Sequence, residues 1–399
     1  MSSSSVTIIY GHYITPRIHL SRKLRFWNSA CTNRMQRLAW ALQINYPHTY
    51  IVSSGITFKS HGGKQLIEHR EGVPVVTLAQ VSFRGIGFLI SFLVAFFAAL
   101  GFRKRRHIRA VIQYNYYPDA LLFSLGCKLF HRSRIILDLE DICMPTLADW
   151  KRESKKNAFQ QVYGYMFLKL SIFLADTVLI PSKKFIPFVK PKRPLLYVAG
   201  CQRIRSLVCD MSKHCDSRIR ILYAGELSEE HGIRLFMDAL RLLENDQSNP
   251  DIEVHICGTG KDATWCQQEA RRFSKIHVIF HGFLQENEFR ALYAKMDICC
   301  VLQNPAGRHQ HFKTPSKGYE ALCNGKPIIV SDIGDFYELP ETIYYPLVPY
   351  CSERLANILA HLNKKEVIQK SQSALMYAQA YWDVRVVGQI LKESEKIPI

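Results

Sequence analysis

Residues 312–334 read FKTPSKGYEALCNGKPIIVSDIG. Thr314 is a candidate N-cap, and Pro315 stands where a first-turn proline loses no hydrogen bond. A short helix over Pro315 to Cys323 follows, stopped by Asn324-Gly325. Lys326-Pro327 then leads into IIVS, an apolar run rich in β-branched residues, as buried parallel strands are. Lys317 and Glu320 stand three apart on the helix and so share a face. A helix start collects unpaired N–H groups and a positive dipole end, which suits phosphate. A carboxylate one turn on can accept hydrogen bonds from sugar hydroxyls. On spacing alone a surface ion pair, worth a few tenths of a kcal/mol, is the better account of these two residues.

Working outward, the same alternation recurs. RIRILYAG (218–225) reads as a strand ending at Gly225, and Ser228 to Glu244 as a helix with Ser228 as N-cap. IEVHICGTG (252–260) is a strand closing on the Gly258 to Gly260 turn, and a helix runs from Lys261 to Phe273. IHVIFHG (276–282) is a strand, QENEFRALYAKM (285–296) a helix, and DICCVLQ (297–303) a strand. Four βα steps in succession predict a parallel, doubly wound sheet. Ligands in such sheets bind beyond the carboxyl ends of the strands. Gly225, Gly258, Gly260 and the basic loop QNPAGRHQHFKTPSK (303–317), with Arg308, Lys313 and Lys317, all fall there.

The first half alternates less cleanly, with strands expected at VTIIY, TYIVSS, PVVTLA, AVIQY, RIILDL and DTVLIPS and helices at Pro118 to Phe130 and about Trp150 to Ala175. At 399 residues two domains are the default. The expected division is 1–200, a polar basic hinge at 201–218, a second domain at 219–364, and C-terminal helices over 365–399 that cross back to the first. Lys plus Arg exceed Asp plus Glu by 52 − 34, a net charge of +18, which favours an anionic partner. The 12 cysteines show no metal-ligand spacing. MSSSSVTIIYGHY lacks the order of an export signal, so reduced, buried thiols in a cytoplasmic protein are expected.

One segment stands apart. IGFLISFLVAFFAALGF, Ile86 to Phe102, holds no charge and runs directly into RKRRHIR (103–109). At about 1.5 Å per residue it reaches roughly 25 Å, short of the ~30 Å hydrocarbon core. A spanning helix would also leave the following AVIQY strand on the wrong side. Core helix and interfacial anchor both remain, and the abutting cations favour an anchor on an anionic membrane surface.

The run from Ile219 to Gly334 resembles the C-terminal domain of family 4 glycosyltransferases, retaining nucleotide-sugar enzymes of GT-B fold. The pieces that carry the resemblance are ILYAGELSEEHGIRLFMDAL (221–240), VHICGTG (254–260), VIFHGFLQENEFRALYAKMDICCVL (278–302) and PSKGYEALCNGKPIIVSDIG (315–334). LADTVLIPSKKF (174–185) resembles the last strand of the family's first domain, and Tyr381-Trp382 an aromatic pair before the returning helix. The resemblance is strong over the second half and diffuse over the first. It implies two Rossmann-like α/β domains facing across a cleft. It also implies a UDP- or GDP-sugar donor as co-substrate, with no permanent cofactor and no metal. Glu320 matches the glutamate on the donor ribose. Ser316, Lys317 and Gly318, with Lys313 before them, match the loop under the diphosphate, and Gly225 matches the glycine after the first strand. Three positions depart from the pattern: Phe312 replaces a glutamate, Glu226 an arginine and His231 a lysine. Lys313, Lys317 and Arg308 are expected to supply the lost positive charge.

In the first half ILDLEDICMP (136–145) places Glu140 and Asp141 after a strand, where either could orient an acceptor or steady charge at the anomeric carbon. Asp141 serves equally as an acidic N-cap. GHYITPRIHLSRKLR (11–25) supplies His12, Arg17 and His19 for an acceptor phosphate, or as solvated surface. The chemistry the resemblance implies is transfer with retention to a glycan or polyprenyl-diphosphate-linked acceptor. A bacterial surface-polysaccharide enzyme peripheral to the inner face of the cell membrane fits that reading. A non-catalytic binder of a nucleotide sugar or glycolipid is the alternative. Nucleic acid is not an expected partner, since no aromatic-interleaved recognition motif accompanies the basic residues.

Overall fold

The computed structural model describes residues 5–21, 29–54, 63–80, 86–103, 107–142, 155–189, 193–204, 217–245, 251–307 and 315–394. The chain forms two compact units, Met1–Arg203 with Asp383–Ile399, and Ile204–Trp382.

The first unit is built on eight described strands in the order β3-β4-β2-β1-β5-β6-β7-β8. They are β1 (Val6–Gly11), β2 (Thr49–Ser53), β3 (Leu66–Arg70), β4 (Val73–Thr77), β5 (Ile108–Tyr114), β6 (Arg134–Asp138), β7 (Thr177–Ile180) and β8 (Leu195–Tyr197). All pairings are parallel except β3 with β4, a hairpin through Glu71-Gly72, both at positive φ. The order reverses between β1 and β5, where the chain first leaves one side of the sheet for the other. The helices are α1 (Pro16–Ser21), α2 (Ser29–Gln43), α3 (Ile86–Arg103), α4 (Pro118–His131), α5 (Lys155–Leu174) and α6 (Ile186–Val189). One face of the sheet packs Ile9, Ile51 and Ile112 against Met35, Leu38 and Leu42 of α2. The other packs Ile8, Val111 and Ile135 against Ala95 and Ala99 of α3 and Phe123 and Cys127 of α4.

Helix α3 is neither wholly core nor wholly exposed. Ala95 and Ala99 are fully buried against α4, while Leu93 and Phe97 are each 56% exposed. Gly126 allows the close approach, since a Cβ there would stand 2.8 Å from the Phe96 carbonyl oxygen. His131 closes the junction, accepting from Ile108 N–H at Nδ1 (3.3 Å) and donating from Nε2 to the Ala99 carbonyl (2.8 Å). Among the described residues no helix is long and apolar enough to cross a membrane.

The second unit holds six described strands, all parallel, in the order β11-β10-β9-β12-β13-β14. They are β9 (Ile219–Glu226), β10 (Ile252–Thr259), β11 (His277–Gly282), β12 (Ile298–Val301), β13 (Ile328–Ser331) and β14 (Tyr344–Leu347). Reversal between β9 and β12 makes this a doubly wound sheet whose ligand position is the carboxyl end of β9. The helices are α7 (Ile233–Asn245), α8 (Ala263–Ala270), α9 (Glu286–Ala294), α10 (Ser316–Cys323), α11 (Ser352–Ala360) and α12 (Lys364–Tyr381). The final helix, α13 (Val384–Glu393), belongs to the first unit, where Val387 and Leu391 pack beside α2. The residues expected to return together over 365–399 therefore divide at Trp382, and α12 stays with the second unit. Of the expected hinge, 205–216 lie outside the described residues. Gln202 is already tied to the first unit, accepting at its carbonyl from Val384 N–H at 3.0 Å.

Two expected caps differ. Pro315 itself occupies the N-cap of α10, extended at φ −71° and ψ 91°, and Thr314 lies outside the described residues. Ser228 precedes a short 3-10 turn, and its Oγ bonds His231 Nδ1 at 2.8 Å rather than a helix N–H.

Candidate active site

In the second unit the site is built by three glycines and one helix. Gly225 ends β9 at φ +146° and Gly258 lies beside it on β10 at φ +137°. A Cβ on Gly258 would fall 1.7 Å from the Gly225 carbonyl oxygen, and one on Gly260 would fall 2.2 Å from that of Leu227. Both glycines thus let neighbouring backbones close up at the sheet end. Gly225 does something else. A Cβ there would meet Lys317 Nζ at 2.1 Å, and Nζ donates to the Ala224 carbonyl at 3.1 Å. The missing side chain is the room that Lys317 occupies.

Helix α10 is anchored by its opposite face. Gly318 admits the Phe336 ring, whose Cζ would be 2.4 Å from an added Cβ. Tyr319 stacks on Phe336 at 4.6 Å and meets Trp382 edge-on at 5.0 Å. Gly318 thus leaves room for the ring of Phe336 against the helix. Ser316 opens the helix half-buried, Lys317 is exposed, and Glu320 follows one turn later, half-buried. The surrounding protein holds the Lys317 ammonium below its ordinary value, while Glu226 and Glu320 pull it back up. Glu320 also acts electrostatically on Tyr293 and Cys299.

The departures at 226 and 231 meet in space. His231 Nδ1 is 3.8 Å from the Glu226 carboxylate, which is 62% exposed. Arg308, Lys313 and Phe312 lie outside the described residues. Lys317 is hydrogen-bonded to the end of β9 through the Ala224 carbonyl.

Residues 218–363 match the Glycosyl transferases group 1 family. This segment is similar to a glycosyltransferase group 1 domain. The matched segment contains Gly225, Gly258, Gly260 and Gly318, together with Lys317 and Glu320. The whole chain has the fold of solved GT-B glycosyltransferases. The trehalose-6-phosphate synthase OtsA aligns over 99% of this chain and 100% of its own, at 10% identity and TM-score 0.65. A glycosyltransferase from Rickettsia africae ESF-5 aligns over 98% and 97%, at 14% identity and TM-score 0.63. WaaG, a glycosyltransferase involved in lipopolysaccharide biosynthesis, aligns over 98% and 99%, at 13% identity and TM-score 0.60. A comparison with curated protein sequences gave no match.

The first unit has a second cluster, at the ends of β1, β5 and β6. Glu140 sits just beyond β6, bonded by the Tyr114 hydroxyl and 3.9 Å from Arg34 Nε. Arg34 grips Asp138 through both Nε (3.2 Å) and Nη2 (3.0 Å), and all three side chains are largely buried. Burial pushes the Glu140 carboxyl up to about 7, helped by Asp138 and Asp141 and opposed by Arg34. Asn115, at φ +52°, accepts at Oδ1 from the N–H groups of Glu140 (2.9 Å) and Asp141 (3.4 Å) and so fixes the turn. Asp141 is exposed.

His12, after β1, stacks on Tyr117 at 4.2 Å and pairs with buried Asp119 at 3.2 Å, where Tyr10 also donates at 3.3 Å. Arg17 is exposed and His19 half-buried on α1. The structure thus gathers His12 with Tyr117 and Asp119, and Glu140 with Tyr114 and Arg34. Of these, Tyr114, Tyr117, Asp119 and Arg34 had not been singled out from sequence. A signal for Arg34 was present: it lies three after Cys31 and four before Leu38 on an otherwise apolar helix stripe. Among the described residues no group of His, Cys, Asp and Glu is placed to hold a metal ion.

Proposed function

We propose that the protein is a retaining family 4 enzyme. It moves a sugar from a UDP- or GDP-sugar to a glycan acceptor carried on a polyprenyl diphosphate, in surface-polysaccharide synthesis. The observation that carries the reading is the place of Lys317: on the first turn of α10, over the glycine that ends β9, inside the matched segment. There the ammonium and the first N–H groups of α10, with Ser316, neutralise the diphosphate, and Glu320 accepts from the ribose hydroxyls. Lys313 adds charge from the preceding loop. The acceptor hydroxyl attacks the anomeric carbon on the side the diphosphate leaves. Its proton passes to a departing phosphate oxygen as the old glycosidic bond breaks. Glu140 and Asp141 orient the acceptor sugar or steady positive charge at the anomeric carbon, and His12, Arg17 and His19 take an acceptor phosphate. The protein works at the inner face of the cell membrane, held by residues 86–109.

Calorimetric titration with UDP and GDP tests the site. Saturable binding of one of them, weakened at least tenfold by Glu320→Ala, is expected; undiminished affinity in that variant overturns the assignment. One observation favours the second reading, a non-catalytic binder. Glu226 acts on Lys317 and pairs with His231, so it places negative charge where a leaving diphosphate needs positive. Release of free nucleotide from a UDP- or GDP-sugar in the presence of membrane extract decides for the enzyme.

A further inference from the structure

The helices α3, α4 and α5 adjoin on one side of the first unit, and their outer faces have one chemical character. On α5, Val162, Met166, Leu170 and Phe173 follow at spacings of four, four and three, exposed by 42%, 46%, 44% and 76%. On α3, Leu93, Phe97 and Leu100 are exposed, and on α4, Leu129. The helix ends are tied together. Lys128 of α4 donates to the Leu174 carbonyl that closes α5 (2.9 Å) and pairs with Asp176 (2.6 Å), while Phe96 and Phe130 pack edge-on at 5.3 Å. Neither α3 nor α5 contains an acidic residue, and the one acid of α4, Asp119, is buried.

At the end of α5 lies a cavity of about 330 Å³ lined by Lys169, Ile172, Phe173, Phe188 and Arg193. Arg193 donates from Nε and Nη2 to the carbonyls of Ile172 (3.3 Å) and Phe173 (2.6 Å), which aims its guanidinium at the helix end. Lys169 stands 5.0 Å above the Tyr165 ring. Two cations and two phenylalanines around one opening match an anion with an apolar body attached. An apolar face with a cationic rim and, among the described residues of these three helices, no exposed acid is complementary to an anionic bilayer.

We infer that this three-helix face docks on anionic lipid, with one lipid phosphate held in the cavity between Lys169 and Arg193. The inference rests on the membrane part of the proposed function and extends it from the 86–109 segment to α5. Phe173 and Leu170 enter the acyl boundary while the two cations stay at headgroup level, as long basic side chains do.

The test is flotation of the full-length protein with vesicles of phosphatidylcholine, alone or doped with phosphatidylglycerol. The expected result is binding to the doped vesicles only, reduced roughly fivefold for each charge removed by Lys169→Gln and Arg193→Gln. Phe173→Ser should weaken it as well. Arg193 also closes α5, so Lys169→Gln, which breaks no hydrogen bond to the backbone, carries the decision if the arginine variant misfolds. Undiminished binding of Lys169→Gln, with loss on replacing Arg103 to Arg106, would overturn the cavity and leave the membrane reading standing. No binding of wild type to either vesicle would overturn both. Equal binding to the two vesicle types would replace the headgroup site by apolar insertion alone.

Discussion

Lys317 Nζ stands where a side chain on Gly225 would begin, 2.1 Å from the place of its Cβ. The two residues, 92 positions apart by 317 − 225, form one device: a strand end without a side chain, and a lysine using the space. Gly225→Ala therefore meets two obstacles, a φ of +146° and the ammonium itself. Backbone strain of this kind costs about 1–3 kcal/mol. A lower melting temperature is expected, and calorimetry should show a loss of nucleotide affinity of about tenfold or more, since Lys317 must swing away. Unchanged affinity would mean that the lysine takes no part in binding.

The charge of Lys317 also sets a pH dependence. Desolvation of its ammonium by the surrounding protein at the end of β9 lowers its pKa, so it releases its proton below the 10.5 of an ordinary lysine. A diphosphate favours the protonated form, hence binding takes up a proton where the free site is partly neutral. Nucleotide affinity should then fall as pH rises through that lowered pKa, and stay level below it. Lys317→Arg, always charged, should remove the decline even if its absolute affinity is lower. Titration calorimetry over alkaline pH in buffers of different ionisation enthalpy measures both effects.

Helix α10 was legible because its limits are written in the chain: Pro315 before it and Asn324-Gly325 after it, with Gly325 at φ +66°. Its cap was displaced by one residue, since proline in an extended conformation serves as a boundary without any side-chain bond. The six-stranded sheet of the second unit was legible through its βα rhythm, save for β14, whose YYPL carries no strong strand pattern. In the first unit β3 and β8 carry no clear strand signal. β3 has an alternating half-exposed pattern from its edge position, and β8 is three residues long. What spacing could not show is contact between distant segments. Arg34 of α2 and Asp138 at the end of β6, 104 residues apart, meet only in the folded chain. The packing of Gly318 against the ring of Phe336 is another contact that spacing does not reveal.

That packing gives a separable prediction. Gly318→Ala puts a methyl group 2.4 Å from Phe336 Cζ, and overpacking of this sort costs about 1–3 kcal/mol. Phe336→Leu alone should also destabilise, by lost contact with Gly318 and Tyr319. Together the two changes should cost less than their sum, because the smaller side chain relieves the crowding. Urea denaturation of the four proteins in the cycle measures the coupling. Additive losses would show that α10 moves aside instead of resting on the ring.

Glu140 provides a test of the first unit that needs no substrate. Its carboxyl is raised from 4.5 to about 7, so the folded protein holds a proton there that the unfolded chain has released. Between those pH values the native state binds more protons, and stability must fall as pH rises. The full difference is at most about 3 kcal/mol, reduced by the coupling to Arg34 and Asp138. Glu140→Gln, which keeps the shape and cannot ionise, should abolish this portion of the decline and be more stable than wild type at pH 8, relative to pH 4.5. Melting temperatures of both proteins over that range decide it: parallel curves would place the carboxylate in an environment that tolerates its charge. The same variant reports on chemistry. If Glu140 steadies charge at the anomeric carbon, turnover falls at least tenfold in it while nucleotide affinity at Lys317 and Glu320 is unchanged, and a variant that turns over like wild type would leave the residue a structural role only.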